Sequence, residues 1–216
     1  MNYKAVIFDL DGTLLDSIED LADSMNTVLE EAGYPAHDIE TYKYYVGNGM
    51  KNLVLQSLPE SHKDSRSVEH FIQRMQEEYS RRWNKKTRPY DGIPELLDKL
   101  REKNIQVAVL SNKPDKFTKL IVKELLSSWH FSAVYGDREG IPKKPDPGGA
   151  LEIAGMLGLQ PKNILYLGDT GVDMQTANNA GMFAVGALWG FRKKEEILSN
   201  GAAALISNPL DLLSFF

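Results

Sequence analysis

Short, continuous apolar runs that alternate with longer segments of helical spacing form the main pattern along this chain. A continuous run predicts a strand covered on both faces, as in a parallel sheet, because a strand with one wet face would alternate. The runs predict six strands, at 4–9, 106–111, 133–136, 163–168, 183–187 and 203–206. Helical spacing between them, as at Ile93, Leu96 and Leu100, completes the strand–helix alternation that is typical of a doubly wound α/β domain.

A long interruption follows the first predicted strand. From residue 17 to about residue 83 the sequence has no convincing strand pattern, and helices are predicted from Ile18 to Gly33, over 50–58 and over 68–83. Ser17 and Asp20 have the spacing of a capping box at the start of the first of these helices. The basic segment that returns the chain at 85–91 is interpreted as solvated charge. We therefore predict an α/β core, 1–15 and 88–216, with an inserted helical domain, 16–87.

An acidic, cysteine-free composition narrows the function classes. The chain has 216 residues, 42% of them apolar, a formal net charge of −5 and no cysteine. The charge disfavours a nucleic-acid partner, and the missing thiols exclude disulfides, thiolate catalysis and zinc–thiolate sites. No apolar run is long enough to cross a bilayer, and the chain enters its first predicted strand without a charged-then-apolar leader. We therefore expect a cytoplasmic protein that has no membrane partner.

The end of the first predicted strand carries the strongest chemical signal. Asp9 and Asp11 are two residues apart and are followed by Gly12 and Thr13. Two carboxylates that leave a strand in a glycine turn suit a nucleophile and a proton donor in one pocket, and their oxygens suit a hard cation. A hairpin turn at this point is disfavoured, because a helical pattern follows it and a second strand does not. A calcium loop is excluded, since its sixth and twelfth positions lack the required Gly and Glu.

Two further carboxylates follow the predicted strand at 163–168. Asp169 comes directly after that strand, and Asp173 lies four residues later. Ligands of open α/β sheets bind beyond the carboxyl ends of the strands, so we expect these groups to approach Asp9 and Asp11. Converging carboxylates repel one another unless a cation lies between them. The sequence thus predicts a divalent metal site formed by these aspartates, with Mg²⁺ as the expected ion.

Thr13 and three other segments are candidates for binding a phosphorylated substrate. Ser111 and Asn112 end the strand at 106–111, where a hydroxyl and backbone N–H groups could bind phosphate oxygens; an ordinary turn is the alternative. Lys144 lies two residues after one proline and directly before another, and it is either surface charge or a link between phosphate and nucleophile. The Gly47-Asn48-Gly49 segment is either a helix–helix turn or a substrate-facing loop, and it does not fit the dinucleotide-binding glycine pattern.

Taken together, these segments resemble the motifs of the haloacid dehalogenase-like hydrolase superfamily. The first motif is similar to 9–14 (DLDGTL), the second to 111–113 (SNK), the third to 144–147 (KPDP) and the fourth to Gly168-Asp169 with Asp173. The resemblance covers nearly the whole chain and implies a Rossmann-like core with a helical cap inserted after the first motif. Within the superfamily, the segments 46–49, 111–114 and 189–191 are similar to the phosphoglycolate phosphatases.

The resemblance also implies roles for the candidate residues. Asp9 would attack phosphorus and form an aspartyl-phosphate, while Asp11 would protonate the leaving group and then activate water. Asp9, Asp169 and the backbone carbonyl of Asp11 would hold Mg²⁺, with support from Asp173. The phosphoryl oxygens would be bound by Ser111 and Lys144.

Three alternative functions are compatible with this resemblance. The first is a Mg²⁺-dependent phosphatase acting on a small phosphorylated metabolite such as 2-phosphoglycolate. The second is a sugar phosphomutase, which returns the phosphoryl group to its substrate instead of passing it to water. The third is a catalytically silent binding protein, which the presence of every expected catalytic side chain disfavours. The second aspartate, Asp11, favours phosphate-ester chemistry over dehalogenation.

Overall fold

The structure is a computed structural model that describes residues 3–216. Eight strands are present in this part of the chain. The first two residues of the predicted core segment 1–15 lie outside that part. The strands are β1 (Ala5–Phe8), β2 (Leu15–Asp16), β3 (Arg88–Pro89), β4 (Gln106–Pro114), β5 (Ala133–Asp137), β6 (Ile164–Gly168), β7 (Phe183–Ala187) and β8 (Ala204–Ile206). Six of them form a parallel sheet in the order β5-β4-β1-β6-β7-β8. β2 and β3 pair antiparallel as a separate two-stranded ribbon.

Four helices lie between β2 and β3 and are here called the insertion. They are α1 (Ile18–Glu31), α2 (Ile39–Tyr45), α3 (Met50–Ser57) and α4 (Ser65–Arg82). The remaining helices connect the strands of the large sheet and are α5 (Ile93–Glu102), α6 (Asp115–Leu125), α7 (Gly148–Leu157), α8 (Gly171–Asn179) and α9 (Lys194–Ser199). Among the described helices, none combines the length and the apolar character that a membrane span needs.

Both faces of the large sheet are covered, which explains the continuous apolar runs. Successive residues of β1 point to opposite faces, so Val6 and Phe8 pack in one apolar cluster while Ala5 and Ile7 pack in another. All four side chains are fully buried. Burying a large aliphatic or aromatic side chain stabilises the fold by about 1.5–3 kcal/mol. The doubly wound α/β fold predicted from these runs is confirmed.

The six predicted strands of the large sheet are confirmed to within a few residues, but β2, β3 and α2 are among the elements that were not predicted. β2 and β3 have two residues each, too few to show any periodicity. α2 is seven residues long and rich in tyrosine and charge, so it carries no clear apolar stripe. β4 continues to Pro114, beyond the predicted end at residue 111, with a shift of register against β5 after Leu110.

The capping box predicted for Ser17 and Asp20 is wrong. Ser17 precedes α1 but its side chain makes no capping hydrogen bond; its hydroxyl donates to Asp11 Oδ1 at 2.6 Å. Asp20 is buried and accepts from the backbone N–H of Lys86 at 3.0 Å, the N–H of Thr87 at 2.8 Å and the Thr87 hydroxyl at 2.7 Å. Both polar side chains therefore fasten the insertion to the chain at its two ends, because buried polar groups take the partners that tertiary structure offers.

The return segment 85–91, predicted as solvated charge, is held by its backbone as well. The Lys86 ammonium is half-exposed and pairs with Glu19 at 3.0 Å and Asp23 at 2.9 Å. The backbone N–H groups of Lys86 and Thr87 are the donors that satisfy Asp20. The segment is therefore a fixed connection between α4 and β3 in this structure.

Two adjacent glycines at the start of α7 have a packing role. A Cβ on Gly149 would lie 2.9 Å from a methyl group of Leu110 in β4, so glycine lets this helix approach the sheet closely. The N–H of Gly148 is capped by Asp146 Oδ1 at 2.8 Å. The two contacts offset part of the low helix propensity of glycine.

Replacing Asp20 tests whether this buried carboxylate holds the two ends of the insertion together. We expect Asp20→Ala to lower the free energy of unfolding in urea by about 2–3 kcal/mol, because hydrogen bonds to a buried charge are lost and two N–H groups lose their partner. Asp23→Ala, on the same helix, removes only an exposed ion pair and should cost less than about 1 kcal/mol. Equal destabilisation by the two variants would contradict this assignment.

Candidate functional site

The turn after β1 packs closely against the end of β6. The Asp9 N–H donates to the Leu167 carbonyl of β6 at 2.9 Å, which keeps the start of the turn in the sheet. Gly12 has a φ of 85°, and a Cβ there would lie 2.3 Å from Asp169 Oδ2. Only glycine satisfies both the left-handed conformation and this close approach. The turn therefore brings the end of β1 against the end of β6.

Three buried carboxylates meet at these two strand ends. Asp9, Asp169 and Asp173 each offer an oxygen within 4.8 Å of the others. Lys144 lies among them, with its ammonium 2.9 Å from Asp9 Oδ1 and 2.7 Å from Asp173 Oδ1. Three carboxylates and one ammonium leave an excess of two negative charges when all are ionised. The structure therefore brings together all the predicted metal-binding side chains except that of Asp11.

The pKa values of these groups reflect their crowding. Burial, then the Asp173 carboxylate, holds the pKa of Asp9 well above its usual value, although Lys144 acts in the opposite direction. Burial and Asp173 raise the pKa of Asp169 to about 7, against the Phe191 N–H and the Thr13 hydroxyl. Burial alone would lower the pKa of Lys144, but Asp173 and Asp9 hold it well above its usual value.

The oxygens of the three carboxylates differ in what they already bind. Asp173 Oδ2 accepts the N–H and hydroxyl of Thr170 in a capping box that begins α8, so Asp173 serves both the helix and the cluster. Asp169 accepts from the Thr13 hydroxyl at 3.0 Å and from the Phe191 N–H at 2.8 Å. Asp9 Oδ1 accepts from the Leu10 N–H and lies by Lys144. Asp9 Oδ2 accepts no hydrogen bond from residues 3–216.

The donor set fits a hard divalent cation. Carboxylate oxygens are the ligands that Mg²⁺ prefers, and oxygens on opposite sides of this ion lie about 4.2 Å apart, close to the spread of the cluster. The excess of two negative charges equals the charge of one such ion. Glycines keep the surroundings open for the acids: a Cβ on Gly190 or Gly168 would lie 2.3 Å from Asp169 or Asp173. Asp9, Asp169 and Asp173 could therefore hold a divalent metal.

Asp11 lies in a separate electrostatic environment from Asp9. Its Oδ1 accepts from Ser17, and the Lys113 ammonium lies 2.8 Å from Oδ1 and 3.0 Å from Oδ2. Lys113 is buried, and it lies 4.6 Å from the ring centre of Tyr79 in α4. Burial would lower the pKa of Lys113, but the Asp11 carboxylate keeps it raised. Its alternation with Ser111 along the extended β4 is the sequence signal that could have identified Lys113 as a site residue.

The predicted phosphate-binding residues divide into two groups. Ser111 is buried and lines a cavity beside Asp9 and Asp11. Asn112 lines the same cavity, but its amide is engaged: Nδ2 donates to the carbonyls of Gly47 at 3.0 Å and Lys144 at 3.1 Å, and Oδ1 accepts from the Lys144 N–H. Thr13 supports Asp169 and does not line the cavity.

The Gly47-Asn48-Gly49 segment lies between α2 and α3 and faces the core. Gly47 and Gly49 line the cavity, while the side chain of Asn48 is exposed and does not. The cavity has a volume of about 40 Å³, room for about three water molecules. Its apolar walls come mainly from the insertion, at Leu21, Val46, Met50 and Leu53. The cavity therefore lies between the insertion and the carboxyl ends of β1 and β4.

Arg192 is a further residue at this site that the sequence did not reveal. It is buried in the segment between β7 and α9, and its guanidinium donates to backbone carbonyls of the insertion. Only the preceding 189–191 segment was noticed in the sequence. A lone arginine after a strand gives no signal of the carbonyl groups that it will contact.

Known proteins are similar to this chain over most of its length. The phosphoglycolate phosphatase of Psychrobacter arcticus is 32% identical over 205 residues, which cover 91% of this chain and 88% of that enzyme. The phosphoglycolate phosphatase of Aquifex aeolicus is 30% identical and covers 97% and 95%. A crystal structure from Lactobacillus delbrueckii subsp. bulgaricus, described as a candidate phosphoglycolate phosphatase, superposes with a TM-score of 0.90 at 30% identity over 98% of this chain and 97% of that one.

A further superposition shows the same fold at lower sequence identity, and a family model matches most of the sequence. A haloacid dehalogenase-like family protein of Streptococcus pneumoniae superposes with a TM-score of 0.88 at 22% identity, over 99% of this chain and 98% of that one. The family model for haloacid dehalogenase-like hydrolases matches residues 6–187. The four motifs, the doubly wound fold and the match over most of the chain all agree. The chain therefore belongs to the haloacid dehalogenase-like hydrolases.

Proposed function

We propose that this chain is a Mg²⁺-dependent phosphatase that hydrolyses a small phosphorylated metabolite through an aspartyl-phosphate. The observation that carries the proposal is the buried group of Asp9, Asp169 and Asp173 with Lys144 beside it. Nearby, Asp11 is held in an environment of its own. A nucleophile, a cationic phosphate ligand and a separate acid–base group are what phosphoryl transfer to a carboxylate requires.

Asp9 is the proposed nucleophile because one of its oxygens remains available. Oδ1 is engaged by the Leu10 N–H and Lys144, so Oδ2 is the oxygen that would form a bond to phosphorus as the bond to the leaving oxygen breaks. Lys144 would then neutralise the phosphoryl oxygens beside the carboxylate. Mg²⁺ held by Asp9, Asp169 and Asp173 would add neutralisation of carboxylate and phosphoryl charge.

Asp11 is the proposed acid–base group. It would give a proton to the departing alkoxide oxygen in the first step. In the second step it would take a proton from the water that attacks phosphorus, which regenerates the Asp9 carboxylate and releases phosphate. Ser17 and Lys113 fix the orientation of its carboxylate. Ser111, which lines the cavity, would donate its hydroxyl to a phosphoryl oxygen.

The insertion bounds the space that is left for the leaving group. Its residues Leu21, Val46, Met50 and Leu53 wall the cavity beside Asp9 and Asp11. The named activity of the relatives from P. arcticus and A. aeolicus supports 2-phosphoglycolate as the substrate. The sugar phosphomutase alternative receives no supporting observation.

The proposed division of the chain follows from the same arrangement. We assign 1–15 and 88–216 to a catalytic core and 16–87 to a cap, with the β2–β3 ribbon as the connection between them. Closure of such a cap would exclude bulk water from the attack step and complete the substrate pocket. We further propose that the enzyme works in the cytoplasm without nucleic-acid or membrane partners.

The nucleophile assignment is tested by Asp9→Asn. We expect at least a thousandfold (~10³) loss of Mg²⁺-dependent phosphate release from 2-phosphoglycolate, because an amide oxygen cannot replace the attacking carboxylate. Asp91→Asn, at an exposed position of the core, should retain activity within about twofold. Circular dichroism and thermal unfolding would establish that both variants fold.

A panel of phosphate esters distinguishes the competing functions. Phosphate release that requires Mg²⁺ is the expected result for 2-phosphoglycolate. Isomerisation of a sugar 1-phosphate without phosphate release would establish the phosphomutase alternative instead. An Asp9→Asn variant with full activity would refute the covalent mechanism.

Gly49 is predicted to influence substrate preference more than phosphoryl transfer. A Cβ there would lie 3.1 Å from Lys143 Nζ and 3.2 Å from the Asn112 carbonyl, at a φ of 88°. We expect Gly49→Ala to lower kcat/KM for 2-phosphoglycolate about tenfold and that for p-nitrophenyl phosphate about threefold or less, because only the former relies on a fitted pocket. Gly33→Ala is the matched control, since Gly33 has a φ of 77° but no atom within 4 Å of its added Cβ. Equal losses for both substrates in Gly49→Ala would contradict this role.

The metal-free enzyme should lose stability as the pH rises. The raised pKa of Asp169, about 7 in the folded chain, means that the folded state keeps a proton that the unfolded state has released. The associated stability is complete below about pH 4 and is lost as the pH rises through about 7. We therefore expect Tm in EDTA to fall between pH 5 and pH 8, and MgCl₂ to raise Tm more at pH 8 than at pH 5. Asp169→Asn should flatten both effects; an identical pH dependence in this variant would refute the assignment.

A further inference from the structure

Arg192 connects the core to the insertion through backbone carbonyl groups. It is only 8% exposed, and its guanidinium donates to the carbonyl of Lys43, to that of Val46 at 2.8 Å and to that of Tyr44 at 3.4 Å. On the core side its Nε lies 3.2 Å from Glu196 of α9. One side chain of the core thus contacts three consecutive or near-consecutive peptide groups of the insertion.

The position of these carbonyls makes the contact strong. They belong to the last turn and C-cap of α2, where helix carbonyls lack partners within the helix. The C-terminal end of a helix also carries partial negative charge, which a cation stabilises. A planar guanidinium with five N–H donors can serve several carbonyls at once, whereas an ammonium is a compact point charge. Arg192 therefore satisfies groups that would otherwise need water.

The segment that carries Arg192 also contacts the carboxylate cluster. The N–H of the preceding residue, Phe191, donates to Asp169 Oδ2 at 2.8 Å. Gly190 lies so close to Asp169 that a Cβ would be 2.3 Å from that side chain. Phe191 therefore positions a carboxylate of the cluster, and the adjacent Arg192 binds the insertion.

A second core residue holds the same loop on its other side. Val46 and Gly47 are consecutive: Arg192 binds the carbonyl of the first, and Asn112 binds the carbonyl of the second at 3.0 Å. Gly47 packs directly against the guanidinium, since a Cβ there would lie 3.6 Å from Arg192 Nη2. Hydrogen bonds to its backbone carbonyls thus fix the cavity-lining loop from both sides, and the Arg192 guanidinium also lies 5.2 Å from the ring centre of Tyr44.

We propose that Arg192 is a positioning residue that latches the insertion in its closed arrangement and so holds the Gly47–Gly49 loop at the reaction cavity. Its effect on turnover rests on the proposed function, but its effect on closure does not. Because the latch binds backbone carbonyls, it acts whatever side chains the insertion presents to a substrate. Loss of the guanidinium should therefore increase opening of the insertion, while on the core side it removes the contact with Glu196 in α9 and leaves α7 in place.

Thiol reactivity measures opening directly, because the chain has no cysteine of its own. Leu53→Cys places a thiol on α3, at a buried position that lines the cavity. Ile153→Cys places one in the core, buried in α7. We expect Arg192→Gln to accelerate reaction of the Leu53→Cys thiol with a bulky aryl disulfide about tenfold, as the loss of charge-assisted hydrogen bonds implies, and to leave the Ile153→Cys thiol unchanged.

Two further variants separate the latch from a general loss of structure. Arg192→Lys keeps the charge but not the fork of donors and should give an intermediate rate for the Leu53→Cys thiol. Arg101→Gln removes an exposed arginine of α5 that pairs with Asp98 and should change neither thiol. An unchanged Leu53→Cys rate in Arg192→Gln overturns the proposal, and so does equal acceleration at both thiols.

Kinetics test the consequence for the reaction. In Arg192→Gln we expect kcat/KM for 2-phosphoglycolate to fall about tenfold and kcat/KM for p-nitrophenyl phosphate to change about threefold or less, with partial recovery in Arg192→Lys. Equal losses for both esters would refute a role through the loop. If the wild-type enzyme does not hydrolyse 2-phosphoglycolate, the proposed substrate fails, while the thiol measurements still decide whether Arg192 is a latch.

Discussion

Asp9, Asp169 and Asp173 place three buried carboxyl groups within 4.8 Å of one another, and the surrounding structure reduces the cost of ionising them together. β1 and β6 are neighbours in the sheet. Asp9 and Asp169, which directly follow these two strands, therefore lie close together. Glycines at the crowded positions remove the Cβ atoms that would otherwise force the acids apart. Lys144 supplies one compensating charge, and the remainder is what a divalent cation supplies. Burying these carboxylates without cationic partners would carry a large unfavourable desolvation free energy.

Polar contacts with backbone atoms join the two ends of the insertion and attach its cavity loop to the core. Asp20 accepts N–H groups of the returning segment, Asn112 donates to the Gly47 carbonyl, and Arg192 donates to carbonyls at the end of α2. Backbone contacts of this kind leave the cavity-facing side chains of the insertion free to vary. Such an arrangement allows the position of the cavity loop and the chemistry of its side chains to be set by different residues.

The sequence predicted the sheet and most of the acidic site for a physical reason: strands covered on both faces must be apolar throughout, and side chains at their carboxyl ends meet at one edge. It could not identify partners that only tertiary structure brings together. Ser17 and Asp20 have capping-box spacing, yet their side chains bind Asp11 and the return segment instead. Lys113 was visible as part of a motif, but its pairing with Asp11 spans 102 residues. Arg192 had no local signal because its partners are carbonyl groups, which every residue carries.

The proposed reaction depends on the separation of Asp9 from Asp11. Only Leu10 separates the two residues in the sequence. Asp9 nevertheless faces carboxylates and Lys144, whereas Asp11 faces Ser17 and Lys113. Paired carboxylates take distinct roles when their environments differ. Asp9 keeps an oxygen that accepts no hydrogen bond from the described residues, which suits attack, whereas Ser17 and Lys113 fix the orientation of the Asp11 carboxylate. Because Lys113 also contacts Tyr79 of the insertion, the orientation of Asp11 depends on how the insertion packs against the core.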